Sequence, residues 1–187
     1  VKRFSAAGSI NTYLVKRGLK IMRRFPGTFP IYKKNGAAQF TIISPRIDDN
    51  GRISKNGAIL LEVASSSGER SYDWKNKISF AIGMNDLALW FNNPESPNKL
   101  IHKTPNSPLM KTLEVMPGEG KYAGTYQLKL SEKNSNNDSF RSVFVPITGG
   151  EYTVLLRLLM HAAPLLIGWD NESPRSELSR SHNERAR

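Results

Sequence analysis

Between Phe29 and about Thr148 the apolar positions recur every second residue in short runs. Turn-forming clusters separate the runs, at Asp49-Asn50-Gly51, Asn56-Gly57, Ser65-Ser66-Ser67-Gly68 and Asn134 to Asp138. Period-two alternation bounded by Gly, Asn, Asp and Ser predicts β-strands joined by tight turns. In Lys75 to Ile82, the side chains of Ile78, Phe80 and Ile82 fall on one side and those of Lys75, Lys77 and Ser79 on the other. Tyr126, Leu128 and Leu130 alternate in the same way with Thr125, Gln127, Lys129 and Ser131. Each run predicts a half-buried antiparallel strand whose outer face carries cations.

Two segments leave this period. Met84 to Phe91 predicts a short helix, ended by Asn92, Asn93 and Pro94. Thr148-Gly149-Gly150-Glu151 has the spacing in which a hydroxyl and a carboxylate reciprocally satisfy two free backbone N–H groups, and so marks the start of a longer helix. From Tyr152 to Ala163 that helix is apolar nearly all round, with Arg157 and His161 among its few polar positions. A helix facing water shows a polar stripe, so this one predicts an oligomer interface, and Pro164 is expected to kink or end it.

Charge changes the picture by where it lies. The 27 Lys and Arg against 16 Asp and Glu give a net charge of +11, which attracts polyanions and makes their binding salt-sensitive. Ten of the basic residues precede Asp48, the first acid, and the remaining 17 basic and 16 acidic residues nearly cancel. Residues 1 to 28, basic and free of acid, fit a mitochondrial transit peptide or a disordered basic arm, and both readings stay open. Residues 29 to 170 form the expected domain. Residues 171 to 187, polar and balanced in charge, predict a disordered tail. The chain has no Cys, which excludes disulfides and thiolate metal sites. Val154 to Trp169 contains Arg157, His161 and Pro164 and makes a poor membrane span.

Enzymatic constellations are sparse. His102, His161 and His182 fall in three different kinds of segment, so no metal site or triad is indicated. Gly118-Glu119-Gly120-Lys121-Tyr122 lacks the first Gly and the final Ser or Thr of a phosphate loop and reads as a hairpin turn. Asp48 and Asp49 belong to a turn. Basic residues interleaved with aromatics are more telling: Tyr32-Lys33-Lys34, Arg70 through Lys77 around Tyr72 and Trp74, and Phe140-Arg141. Cations that neutralise phosphates beside rings that stack on bases are the two elements of single-strand binding. The candidate phosphate contacts are Lys33, Lys34, Lys55, Arg70, Lys75, Lys77, Lys129 and Arg141, with Tyr32 and Trp74 as stacking candidates.

Gly68-Glu69-Arg70-Ser71-Tyr72-Asp73-Trp74 resembles a G-E-R-x-Y-D-W segment of the Whirly proteins, plant organellar binders of single-stranded DNA. Val145 to Leu155, followed by Pro164-Leu165-Leu166-Ile167-Gly168-Trp169, is similar to the closing motif of the same family. Where plant members carry K-G-K-A-A-L, this chain has Lys33-Lys34-Asn35-Gly36-Ala37-Ala38, with the glycine displaced. That departure points toward the Whirly-like guide-RNA-binding proteins of kinetoplastid mitochondria. The resemblance implies an α+β fold of two four-stranded antiparallel sheets packed together, each followed by a helix, with four subunits joined through their helices.

It further implies a heterotetramer of two paralogous subunits in the mitochondrial matrix, associated with the kinetoplast. Such an assembly would hold guide RNA by its backbone and promote annealing to messenger RNA during RNA editing, with no cofactor, metal or membrane involved. Two alternatives stand beside it: an organellar single-stranded DNA-binding protein, and a mainly structural subunit whose paralogue holds the RNA. Enzymatic activity is not expected.

Overall fold

The computed structural model describes residues 27–97 and 99–169. The expectations for residues 1–26 and 171–187 lie outside the described residues. The elements run β1 (Thr28–Lys33), β2 (Gly36–Ile43), β3 (Arg46–Ile47), β4 (Ile53–Lys55), β5 (Ala58–Gly68), β6 (Ser71–Tyr72), β7 (Ile78–Ile82), α1 (Met84–Asn92), β8 (Leu100–Lys103), β9 (Leu109–Pro117), β10 (Thr125–Asn134), β11 (Ser139–Thr148) and α2 (Gly149–Leu166). The long β5 lies at the centre of the first antiparallel sheet. It pairs with β2 on one side, and β2 with β1; β7 and the two-residue β6 also pair with β5. The second sheet has the antiparallel order β11-β10-β9-β8. Between β2 and β5 the chain extends into a two-stranded ribbon, β3 with β4. α1 follows the last strand of the first sheet and α2 the last strand of the second.

Alternation places the core. In the first sheet Ile31, Ala38, Leu61, Val63, Ile78 and Phe80 are each at most 2% exposed, and in the second Leu113, Leu128, Leu130 and Val145 are at most 1% exposed. These positions are cross-strand partners, so the two inner faces meet in one apolar layer. Two expectations are corrected here. Neither Lys75 nor Lys77 lies on a strand: Trp74–Asn76 form a 3-10 turn that Lys77 closes, and the strand begins only at Ile78. The Asp73 side chain accepts from the Asn76 backbone and side-chain N–H groups at 3.2 and 2.8 Å, a local bond that competes with the sheet ladder. Ser131, expected on the polar face, is buried opposite Thr112.

The helix α2 turns Tyr152, Leu155, Leu159, Ala162 and Leu166 into the core, three and four residues apart as one helical stripe requires. Val154, Leu158 and Met160 remain 47%, 43% and 63% exposed, so the apolar circumference is covered on one side only. Pro164 lies in the last turn, where it cannot donate to the Met160 carbonyl, and the helix closes two residues later. The buried phenol of Tyr152 accepts from Trp90 Nε1 at 3.0 Å and donates to the Pro94 carbonyl, locking α1 to α2. Burial pushes this phenol up to about 12, so it stays a donor.

Both ends of α2 are tied to the first sheet. At its start Glu151 closes the predicted capping box, with Thr148 N–H and hydroxyl donating to its carboxylate at 2.8 and 2.9 Å. Lys33 Nζ, at the end of β1, reaches the same carboxylate at 2.7 and 2.8 Å. Burial raises the Glu151 carboxyl, but the Lys33 and Thr148 hydrogen bonds outweigh it and hold the group below the ordinary glutamate range. At the far end the Leu166 carbonyl, one of the orphan acceptors of a helix terminus, receives the Gly57 N–H at 2.7 Å.

Two outcomes follow from these ties. A Cβ on Gly57 would stand 2.3 Å from the Ile43 carbonyl oxygen, so Gly57→Ala should lower the urea midpoint by the equivalent of about 1–3 kcal/mol without changing the slope. Glu151 has a depressed folded-state pKa, so its stabilisation is present at neutral pH and is lost as pH falls through the carboxylate range. Glu151→Gln should therefore be less stable than wild type at pH 7, and the gap should narrow in denaturation curves taken at progressively lower pH.

Candidate nucleic-acid interface

Two hairpin turns far apart in the chain meet at one end of the first sheet. Lys34-Asn35 joins β1 to β2, and Glu69-Arg70 joins β5 to β6. Arg70 adopts φ +55°, a left-handed conformation that costs a residue with a Cβ roughly 1–2 kcal/mol and is held here by the bonds on either side. Ser66 N–H donates to the Asn35 carbonyl at 3.2 Å and Tyr72 Oη to the Lys33 carbonyl at 3.0 Å, stitching the turns together. Tyr72 stacks on Tyr32 with ring centroids 5.5 Å apart and meets Trp74 edge-on at 6.5 Å. The result is an open cleft of about 730 Å³ lined by Tyr32, Lys33, Lys34, Ser66, Gly68, Glu69, Arg70 and Tyr72.

The candidate cations differ in what already holds them. Lys33 is committed to Glu151, Lys77 to Glu62 at 2.7 Å and Lys129 to Glu114 at 3.3 Å. Arg141 pairs with Glu132 at 2.8 Å and donates to the Asn76 carbonyl at 2.8 Å, which bridges the second sheet to the first. Burial raises the Glu132 carboxyl, but Arg141 and then Lys111 more than offset it and hold it low. Lys34, Lys55 and Arg70 have no ion pair among the described residues. Lys75 is exposed on the 3-10 turn beside Asp73. The structure thus gathers Tyr32, Lys33, Lys34 and Arg70 into one cleft, with Trp74 and Lys75 beside it. It sets Lys55 on the ribbon at the opposite end of β2.

A second surface adjoins this cleft. Gly36, directly after the first turn, has its α-carbon against β11: a Cβ there would meet the Phe144 carbonyl oxygen at 3.2 Å. On the outward face of the second sheet, Phe144 and Lys129 are cross-strand partners and Lys129 Nζ lies 5.5 Å from the Phe144 ring centroid. Phe140, 62% exposed, pairs with Lys133, which pairs in turn with Met110. The sequence reading missed Tyr72 and Phe144 as site residues. Phe144 was legible, since it sits between the inward Val143 and Val145; the stacking of Tyr72 on Tyr32 was not, because it needs two distant turns to meet.

Among the described residues no group of three or more His, Asp or Glu side chains is placed to hold a metal ion, and no helix is long and apolar enough to cross a membrane. The arrangement instead offers flat rings and free cations along an open surface.

Known proteins resemble this chain in sequence and in fold. The chain is 31% identical over 179 residues to the chloroplast single-stranded DNA-binding protein WHY1 of Arabidopsis thaliana, covering 86% of this chain and 65% of that protein. It is 28% identical to the mitochondrial single-stranded DNA-binding protein WHY2 of the same plant, over 83% of this chain and 68% of that one. The crystal structure of Arabidopsis WHY1 superposes with a TM-score of 0.70 at 28% identity, covering 80% of this chain and 95% of that chain. A trypanosome MRP1/MRP2 structure superposes more loosely, with a TM-score of 0.46 at 14% identity over 90% of this chain and 99% of that chain. The expected α+β architecture is the Whirly fold; beyond the two four-stranded sheets expected, this chain's first sheet has the short β6 as a fifth strand and β3 and β4 form a ribbon. A sequence profile described as Whirly transcription factor matches residues 31–158, and the chain belongs to the Whirly family.

Proposed function

We propose that this chain binds single-stranded nucleic acid by its backbone, without turnover, in an organelle. The observation that carries this reading is the cleft, where Lys34 and Arg70 stand without an ion pair beside the stacked Tyr32 and Tyr72. Free cations neutralise phosphates without first breaking an internal pair, and the exposed ring of Tyr32 gives a base a surface to stack on. Lys75 and Trp74 extend the path on one side; on the other, Phe144 offers a ring, while Lys129 beside it would first have to leave Glu114. Lys33, Lys77 and Arg141 contribute less, because each would have to leave a carboxylate. Backbone contacts carry no base information, so sequence preference is weak.

Single-stranded DNA is the favoured ligand, since relatives at about 30% identity bear that name. The second reading is guide-RNA binding and annealing to messenger RNA in a kinetoplastid mitochondrion, in a heterotetramer with a paralogous subunit. The displaced glycine of the first hairpin favours it. In either case the open side of α2, with Val154, Leu158 and Met160, is the subunit contact, because an apolar stripe of this kind on an isolated chain invites association.

Lys34→Glu with Arg70→Glu should weaken binding to unrelated single strands alike, by about tenfold or more. It should also flatten the plot of log affinity against log salt, by about 0.7 for each phosphate no longer neutralised. Affinity and slope equal to wild type would overturn the cleft as the site. Competition between matched DNA and RNA strands at one salt concentration separates the two readings. Leu158→Glu with Met160→Glu should yield a smaller species in sedimentation velocity.

A further inference from the structure

The ribbon end of the first sheet carries a second combination of rings and cations, remote from the cleft. β2 spans Gly36 to Ile43, so at about 3.3 Å per residue the ribbon root lies on the order of 25 Å from the Lys34-Asn35 turn. There Arg46, Arg52 and Lys55 are exposed and have no ion pair among the described residues. Arg46 and Lys55 are cross-strand partners, as are Ile47 and Ile53. The end of α2 packs on this root: Gly57 N–H bonds the Leu166 carbonyl, and the Ile53 side chain fills the space where a Cβ on Gly168 would stand, 2.9 Å from Ile53 Cδ1. Gly168, at φ +70°, turns the chain so that the next residue, Trp169, projects with 75% of its surface exposed. Its backbone is held, since Trp169 N–H donates to the Pro164 carbonyl at 2.9 Å.

We propose that this end is a second single-strand contact, in which the Trp169 indole stacks on a base while Arg46, Arg52 and Lys55 neutralise flanking phosphates. The inference rests on the single-strand reading above and extends it. An indole is seldom left this open, and here it stands beside three uncommitted cations, the pairing that single-strand sites use. An anionic bilayer is the poorer occupant, because the part of the ribbon that would enter it first is its tip, Asp48-Asp49-Asn50-Gly51. The tip is fixed in a turn by Asp48, which accepts from the Asn50 and Arg52 N–H groups at 2.9 and 2.8 Å. A strand laid across the ribbon root runs past Arg46 and Lys55 and away from those carboxylates, with Arg52 reaching it from the side nearer the tip. Two contacts separated along one strand act through effective concentration, so the second strengthens the grip on strands long enough to reach both.

The test uses the full chain, a mixed-sequence single strand of about 24 nucleotides and Trp emission. Adding the strand should change the emission, and a distinct part of that change should vanish in Trp169→Phe. Trp169→Ala and, separately, Arg46→Glu with Lys55→Glu should each weaken binding about five- to tenfold, and the charge reversal should also lower the salt slope. In the cleft variant Lys34→Glu with Arg70→Glu, the Trp169-dependent signal should persist at higher strand concentration. Wild-type binding that is weakened by the cleft variant yet leaves Trp169 silent would overturn the second contact and leave the cleft standing. An unaltered affinity in the cleft variant would instead sink the reading it rests on. Trp169 already shielded from acrylamide in the free protein, or responding to phosphatidylserine vesicles and not to the strand, would also overturn the proposal.

Discussion

Burying one face of each sheet against the other constrains everything else in this molecule. Strand side chains alternate, so once Ile31, Ala38, Leu61, Val63 and Ile78 turn inward, Tyr32, Glu62 and their outward neighbours have no choice of face. The same inner layer accounts for α2. Its stripe of Tyr152, Leu155, Leu159, Ala162 and Leu166 covers apolar surface that the two sheets leave open, and the carboxylate of Glu151 and the carbonyl of Leu166 then tie its two ends to the first sheet. Gly57 sits where the backbone approaches too closely for a side chain and Gly36 where one would be tight, and they flank the ribbon and the cleft respectively.

Cations serve two purposes in this fold, and their partners distinguish them. Lys33, Lys77, Lys111, Lys129 and Arg141 each face a carboxylate that is itself substantially buried or shared. Arg141 and Lys111 also donate to backbone carbonyls of the first sheet's segment, Asn76 and Ser79, so they bridge the sheets. Surface pairs contribute modestly, but each lowers the availability of its cation to a phosphate. The described cations without an ion pair include Lys34 and Arg70 on turns at one end, Arg46, Arg52 and Lys55 on the ribbon at the other, and also Lys75, Lys103, Lys121 and Arg157 elsewhere on the surface. Lys34 and Arg70 stand at turn tips, which lack cross-strand neighbours, and Arg46 and Lys55 face each other across the ribbon, so register places no carboxylate opposite any of these four.

The placement of rings follows the same logic. Phe80, in the core, stacks at 4.1 Å on the part-exposed His102 of the edge strand β8, where His102 Nε2 meets the Asp86 carboxylate at 3.0 Å, whereas Tyr32, Phe140 and Trp169 remain largely open. Rings of the first kind hold the layers together. Those of the second kind leave a face free, and they occur beside uncommitted or weakly committed cations.

Local sequence determined the strands, the two helices and the capping box at Thr148 and Glu151, because alternation, helical spacing and cap chemistry act over a few residues. It also determined that Lys129 alternates with apolar partners on its strand. Only the tertiary structure decided which cations were free, since Lys33 and Glu151 lie 118 residues apart and no local pattern announces their pairing. The Asp73 side chain likewise removed Lys75 from the strand through a bond that alternation cannot register. The cleft itself exists because two turns, each ordinary in sequence, are brought together by the register of β2 on β5. Side-chain periodicity is a property of one strand, whereas a binding surface is a property of several, and only their packing sets it.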